Sequence, residues 1–269
     1  MFNLHLIAPS HIPIDLGGIL PETLAWLSET AAARQLIRQG NRTLELGELF
    51  RVIKIGRDDD FIRFGDVSNH CTSIGAGMNW GTIEVLGNVG MHAGARMRGG
   101  TLRIEGSTGN WLGAEMKGGE IEVYGDVGHQ AGAAYRGSRR GMWGGEIHIR
   151  GNAGDELGLL MRRGLIRVRG SCGDFTAASM IAGTITVKGK LGRYPGAGMK
   201  RGTIITSESI SELPPGLVHS CDYSPEYFKM MTEEDSEFEQ SFALYCKSVR
   251  CYRGDLMTGG RGELWHVLR

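Results

Sequence analysis

Residues 74–90, IGAGMNWGTIEVLGNVG, and residues 112–128, LGAEMKGGEIEVYGDVG, are two copies of one unit. A methionine returns at Met78, Met97, Met116, Met142, Met161, Met180 and Met199, at a constant period of nineteen that is broken once, between Met116 and Met142. Three positions after each stands a glycine: Gly81, Gly100, Gly119, Gly145, Gly164, Gly183 and Gly202. Two positions further comes an aliphatic side chain, from Ile83 to Ile204, and two further another, from Val85 to Val187, with Thr206 in the last copy. A fixed period of this kind marks a stacked architecture in which no single copy can bury its apolar face alone. Aliphatics two apart between glycines predict a short strand with one buried face. The unit is too short for a helix pair, so equivalent strands are expected to pair from copy to copy. The expected fold class is all-β: a single-stranded right-handed parallel β-helix of about seven 19-residue coils, with a small α/β N-terminal cap and an irregular C-terminal extension.

The same reasoning assigns the columns. Glycine recurs because a sharp corner needs positive φ or a close backbone approach, and stacking repeats that need at every level. Methionine, flexible and polarizable, fills the irregular corner of the core. The variable residue between the two aliphatics is expected to point outward. That column runs Glu84, Arg103, Glu122, His148, Arg167, Thr186, which puts Glu84 beside Arg103 and Arg103 beside Glu122 in cross-strand pairs.

Outside the repeat, Phe2 to Ile7 reads as a strand. Pro21 to Gln39 reads as a helix, with Pro21 at its start, Glu22 near the positive end and Gly40 as its stop. The runs TLELGELF, RVIKI and FIRFGDV between Thr43 and Val67 read as strands of a first coil or cap over an otherwise open apolar end. Leu213-Pro-Pro-Gly216 marks the loss of period, and the remainder reads as a helix or loop with an acidic patch at 226–239, then a final strand pair ending in GDLMTGGRGELW. The expected organisation is an extension and cap over 1–67, the repeat over 68–211 and a docking or capping extension over 212–269.

Composition bounds the function. Thirty basic residues balance thirty acidic ones, so no net field draws the chain to nucleic acid or to a membrane surface. Forty-three glycines but only seven prolines exclude a collagen-like or proline-rich chain. The five cysteines, Cys71, Cys172, Cys221, Cys246 and Cys251, contain no C-x-x-C, which argues against a disulfide framework, a zinc ribbon or an iron–sulfur run. The N-terminal stretch carries no basic n-region, and no uncharged apolar run reaches membrane-spanning length, so the expected location is the cytoplasm, without a membrane span.

Catalytic readings fit the repeat poorly. A coil of nineteen does not divide into the sixes of hexapeptide acyltransferases. A solenoid hydrolase would use the coil-end columns Met91, Asn110, His129, Asp155, Asp174, Arg193 and His92, Trp111, Gln130, Glu156, Phe175, Tyr194, where Asp155, Glu156 and Asp174 could pair as carboxylates and His129 could act as base or ligand. The histidines form no H-x-x-x-H or H-E-x-x-H, and G-x-G-x-x-G matches are accidents of the coil rather than a nucleotide fold. One feature breaks the period: an insertion of seven between Ala133 and Met142, in AAYRGSRRGMWGG. A protruding corner loop is where function concentrates, and Tyr135, Arg136, Arg139, Arg140 and Trp143 are the residue types of interface hot spots. They are the candidate partner contacts, with the arginines suited to an acidic partner or polyanionic ligand.

The two quoted repeats resemble the G-x-G-x-G solenoid shared by the C-terminal domain of glutamate synthase large subunits and by the C component of formylmethanofuran dehydrogenases. HIPIDLGGILPETLAWLS, RTLELGELFRV and the ending RGDLMTGGRGELW are similar to the extensions of that C component, so the resemblance covers nearly the whole chain. These termini argue against the rival reading, a glutamate-synthase-type spacer domain, and the resemblance implies a non-catalytic member of one of two complexes. One is the tungsten- or molybdenum-dependent dehydrogenase of methanogens. The other is the bacterial formyltransferase/hydrolase complex, which moves a formyl group from tetrahydromethanopterin to a methanofuran-type carrier and releases formate. The 23 arginines against 7 lysines fit a GC-rich bacterial genome and favour the second. The resemblance further implies three partners, an amidohydrolase-like A component, a B component and a formyltransferase D component, and no cofactor, metal or catalytic residue on this chain itself.

Overall fold

The computed structural model describes residues 1–7, 10–56, 60–208, 210, 212–224, 226 and 246–268. Within the repeat each copy contributes one short strand: β8 (Thr82–Leu86), β9 (Thr101–Ile104), β10 (Glu120–Val123), β11 (Glu146–Ile149), β12 (Leu165–Val168), β13 (Thr184–Val187) and β14 (Arg201–Thr206). They pair in parallel and in register, Ile83 beside Leu102, Leu102 beside Ile121, and so on to Ile204. A second line of parallel bridges joins Val89, Thr108, Val127, Ala153, Cys172 and Leu191. The aliphatic and methionine columns lie between these lines, all of them 0–1 % exposed from Met78 to Ile204. The Cys172 thiol sits in the same interior, and burial pushes its pKa up to about 12, so it stays protonated. None of the five cysteines is in a disulfide.

The stack is longer than the methionine column. Before it, β1 (Phe2–Leu6) and β6 (Phe61–Gly65) add two parallel strands, with Phe2 beside Ile62 and Ile62 beside Ile83. Beyond β14 the chain departs and returns: β17 (Arg261–Leu268) lies parallel to β14 with Gly262 beside Gly202 and Leu264 beside Ile204. Antiparallel strands close the 13-stranded sheet at both ends, β5 (Phe50–Lys54) on β1, and β16 (Ser248–Gly254) then β15 (Val218–Tyr223) on β17. The expected final strand pair is β16 and β17. A small second sheet joins β2 (Ile14–Asp15), β3 (Leu36–Gln39), β4 (Arg42–Glu45) and β7 (Cys71–Thr72).

Three expectations need correction. The helix expected over Pro21 to Gln39 is two short ones, α1 (Pro21–Leu24) and α2 (Glu29–Ala33), followed by β3. Trp26 takes a left-handed φ of 68°, and Ser28 restarts the chain as an N-cap, accepting the Ala31 N–H at 3.2 Å. Gly40 is accordingly the first residue of a tight hairpin between β3 and β4 rather than a helix stop. The run TLELGELF is strand only as far as Glu45. Leu46–Leu49 forms a helical turn, α3, and the Glu48 carboxylate accepts the Glu45 N–H at 2.8 Å.

The third correction concerns the outward column. Glu84, Arg103 and Glu122 are at least partly exposed and stand side by side in register as expected, Arg103 3.8 Å from Glu122, while Glu84 makes its ion pair with Arg63 at 2.5 Å. Farther along, Arg167 and Thr186 are only 4 % exposed. At the next step the same column holds Ile205, packed with Val249, Cys251, Trp265 and Val267 in a second apolar cluster. The C-terminal strands extend this face in register, Trp265 beside Ile205 and Cys251 beside Trp265, so the outer face turns apolar at that end, which no local pattern could announce. Most of the acidic 226–239 patch lies outside the described residues.

Candidate partner-binding site at the interrupted corner

In an ordinary copy the methionine N–H donates three positions back, Met116 to the Gly113 carbonyl at 3.1 Å and Met161 to Gly158 at 3.0 Å. At the interruption Met142 donates instead to Gly132 at 2.9 Å, the same bond made across the inserted loop. Ala134 N–H reaches the Leu159 carbonyl and Gly141 N–H the Leu160 carbonyl. The insertion is therefore excluded from the stack without shifting its register, and residues 135–140 project from the corner.

The structure sends the candidate residues in two directions. Tyr135 folds back across two copies: its hydroxyl lies 2.9 Å from His92 Nδ1, and the Arg96 guanidinium sits 5.2 Å from its ring centre. His92 stacks on Trp111 with centroids 5.2 Å apart and planes 11° from parallel. Arg96 Nε donates to Glu115 at 2.9 Å. Beneath, Trp111 Nε1 is buried with no hydrogen-bond partner. An open groove of about 490 Å³ runs here between Tyr135, His92, Arg96 and Ser73. Burial pushes the His92 pKa down and the Tyr135 pKa up, so both are uncharged at neutral pH. Burial opposes ionisation of Glu115, but hydrogen bonds from Arg96 and Ser138 prevail and hold it below the usual carboxylate range.

Arg140 goes the other way, its guanidinium 4.7 Å from the Trp143 ring centre, with Arg162 of the next copy at 5.3 Å. Arg136 and Arg139 are exposed. His92, Trp111, Arg96 and Arg162 were not among the predicted contacts. Their signal was the period itself: Trp111 stands one period after His92, and Arg162 one period after Trp143.

The coil-end carboxylates are bound into a ladder. His129 N–H donates to Asn110 Oδ1 at 2.8 Å, Asp155 N–H to His129 Nδ1 at 3.0 Å, Asp174 N–H to Asp155 Oδ1 at 2.8 Å and Arg193 N–H to Asp174 Oδ1 at 2.8 Å. Arg193 also grips Asp174 Oδ2 at 2.6 Å, and these bonds hold the Asp174 pKa down. A parallel ladder runs from Asn88 through Ser107, Asp126, Asn152 and Ser171 to Lys190. The first column proposed for a hydrolase is thereby, from Asn110 to Arg193, a side-chain-to-backbone ladder that ties one copy to the next, and in the second Glu156 accepts from Gln130 Nε2. Among the described residues no group of three or more His, Cys, Asp and Glu is placed to hold a metal, and no helix is long and apolar enough to cross a membrane.

A stack of in-register parallel strands with a polar, aromatic-rich corner left open defines the class: an all-β chain of repeated rungs. No family model matches the chain, and no curated protein matches it. Among solved structures it is similar to a chain in the X-ray crystal structure of the formyltransferase/hydrolase complex (FhcABCD) from Methylorubrum extorquens in complex with methylofuran. The two are 36 % identical, with a TM-score of 0.90, over 99 % of this chain and 100 % of that one. The chain belongs to the family of that formyltransferase/hydrolase complex.

Proposed function

We propose that this chain is the scaffold member, the C component, of a formyltransferase/hydrolase complex, built as a right-handed parallel β-helix and operating in the cytoplasm. In this reading the complex transfers a formyl group from tetrahydromethanopterin to a methanofuran-type carrier and releases formate. The chemistry resides on its neighbours: an amidohydrolase-like A component, a B component and a formyltransferase D component. The full-length match at 36 % identity to a chain of a complex that holds methylofuran carries the proposal, and it favours the hydrolytic complex over the metal-dependent dehydrogenase. The central repeat, 68–211, supplies the post, and the extensions 1–67 and 212–269 supply caps and docking surfaces. The corner loop supports the same reading, because a loop expelled from the stack at no loss of register is free to serve a neighbour, and its arginines and Trp143 are exposed.

The test is coexpression with the other three components of the chain carrying Arg136→Ala, Arg139→Ala and Arg140→Ala. We expect at least a tenfold loss of recovered complex, with formyl-transfer activity falling in parallel. Full recovery of both would remove the loop from the interface, and an isolated chain active on formyl carriers would overturn the scaffold role.

A further inference from the structure

A second feature of the same edge runs far beyond the loop. The residue after each methionine donates its backbone N–H to the methionine carbonyl of the preceding copy: Arg98 to Met78, Lys117 to Met97, Trp143 to Met116, Arg162 to Met142 and Lys200 to Met180, all at 2.7–2.8 Å. These side chains therefore stand in single file, one per rung, at the ~4.8 Å strand spacing, and Arg98 to Lys200 spans roughly 24 Å. The adjacent file adds Arg163, Arg201 and Arg261. Arg201 and Arg261 are direct neighbours in the register of β14 and β17, a like-charge pair that weakens a sheet unless an anion bridges it.

Between Arg98 and Lys200 no acid stands in either file, the other occupants being Ile181, Ala182 and glycines; acids stand only at the two ends, where Glu22 accepts from Asn79 at 2.9 Å and the Asp255 N–H donates to the Met199 carbonyl at 3.2 Å. The nearest acids along the strands are engaged elsewhere. Glu146 accepts from Arg167, Glu263 accepts from Arg253 and Trp265, and Glu120 lies 3.9 Å from His148. The chain has no net charge, so these cations represent segregation onto one edge. Midway along it, Trp143 holds the Arg140 and Arg162 guanidiniums against its ring, which orders them in advance of any partner.

We infer that this ridge is the docking site for an acidic stretch of a partner polypeptide laid along the rungs, an inference that rests on reading the chain as a member of a larger assembly. The dimensions suit it: about 16 residues of α-helix cover roughly 24 Å, with carboxylates at i and i+4 about 6 Å apart. A single-stranded nucleic acid fits less well, since the Trp143 ring is already engaged by guanidiniums and not free to stack on a base.

The probe is a fluorescein-labelled peptide of about 16 residues alternating Glu and Ala, titrated with the full chain and followed by fluorescence anisotropy. Binding should weaken about tenfold between roughly 50 and 300 mM salt, and by about tenfold or more with Arg98→Glu, Lys117→Glu and Lys200→Glu together. The neutral set Arg98→Gln, Lys117→Gln and Lys200→Gln should show a smaller loss in the same direction, which guards against misfolding of the reversed chain. Undiminished binding by the Gln and Glu sets with native circular dichroism would overturn the inference, as would tighter binding of an oligothymidylate of equal charge. These variants leave residues 135–140 intact, so the ridge and the loop are decided by separate experiments.

Discussion

Of the columns of left-handed residues that run along the stack, two are filled by opposite rules. One is all glycine, Gly81, Gly100, Gly119, Gly145, Gly164, Gly183 and Gly202, with φ between 80° and 116°. The other holds no glycine at all: Ser73, His92, Trp111, Gln130, Glu156, Phe175 and Tyr194, with φ between 56° and 67°. Near 60° an L-residue fits the left-handed well at a cost of about 1 kcal/mol, whereas toward 100° it does not fit. Packing sharpens the difference. A Cβ on Gly119 would lie 2.7 Å from the Met97 methyl and 2.7 Å from the Gly100 carbonyl oxygen. The methionine of each copy thus fills the space a side chain would need in the next, which is the physical content of the M-x-x-G spacing. The first column is closed to side chains and locks the rungs, while the second displays side chains at the corner where the loop and its aromatic neighbours meet.

This contrast can be broken at chosen positions. Gly119→Ala combines a forbidden φ with contact against backbone, and should lower stability by roughly 3 kcal/mol or more, read as a fall in the urea midpoint. Asn110→Ala removes one rung of the polar ladder, the bond from His129 N–H at 2.8 Å, and should lower the midpoint by the equivalent of about 1 kcal/mol. Gln130→Gly in the second column relieves left-handed strain while losing the Gln130–Glu156 contact, so its net change should stay below about 1 kcal/mol. A drop comparable to that of Gly119→Ala would erase the distinction between the columns.

The smallest effect is expected from pH. Burial holds the folded-state pKa of His92 below its ordinary value, against the charge of Asp15. The unfolded chain therefore takes up the proton first, so the contribution is complete above about pH 6.5 and is lost as pH falls toward the folded-state value. Melting curves between about pH 7.5 and 5 should show the wild type losing more than His92→Gln over this window. Equal losses would separate Tyr135 docking from His92 ionisation.

What could be read in advance follows from where each feature is encoded. Strand register and buried faces recur with the period, so every copy restates them. The final rung was legible too, since RGELWH at 261–266 aligns with RGTIIT at 201–206, though the long non-repetitive stretch between them masked it. The N-terminal helix was misread because a single left-handed residue, Trp26, and the Ser28 cap outweigh helical propensity over a short run. Burial of Arg167 and Thr186 breaks with the exposed start of the same column, and nothing in the period signals it. Tyr135 lies outside the periodicity, so its hydrogen bond to the far earlier His92 had no pattern to reveal it. The Trp143–Arg162 pair, by contrast, follows from stepping one period along the chain.

The loop and the stack are separated most directly by deleting residues 134–140. The junction then reads Gly132-Ala133-Gly141-Met142, the same four residue types as Gly75-Ala76-Gly77-Met78, and the regular step is restored. Coexpressed with the other components of the complex, this shortened chain should melt within about 4 °C of the full one yet fail to assemble. Normal assembly, or a chain that no longer folds, would contradict the account.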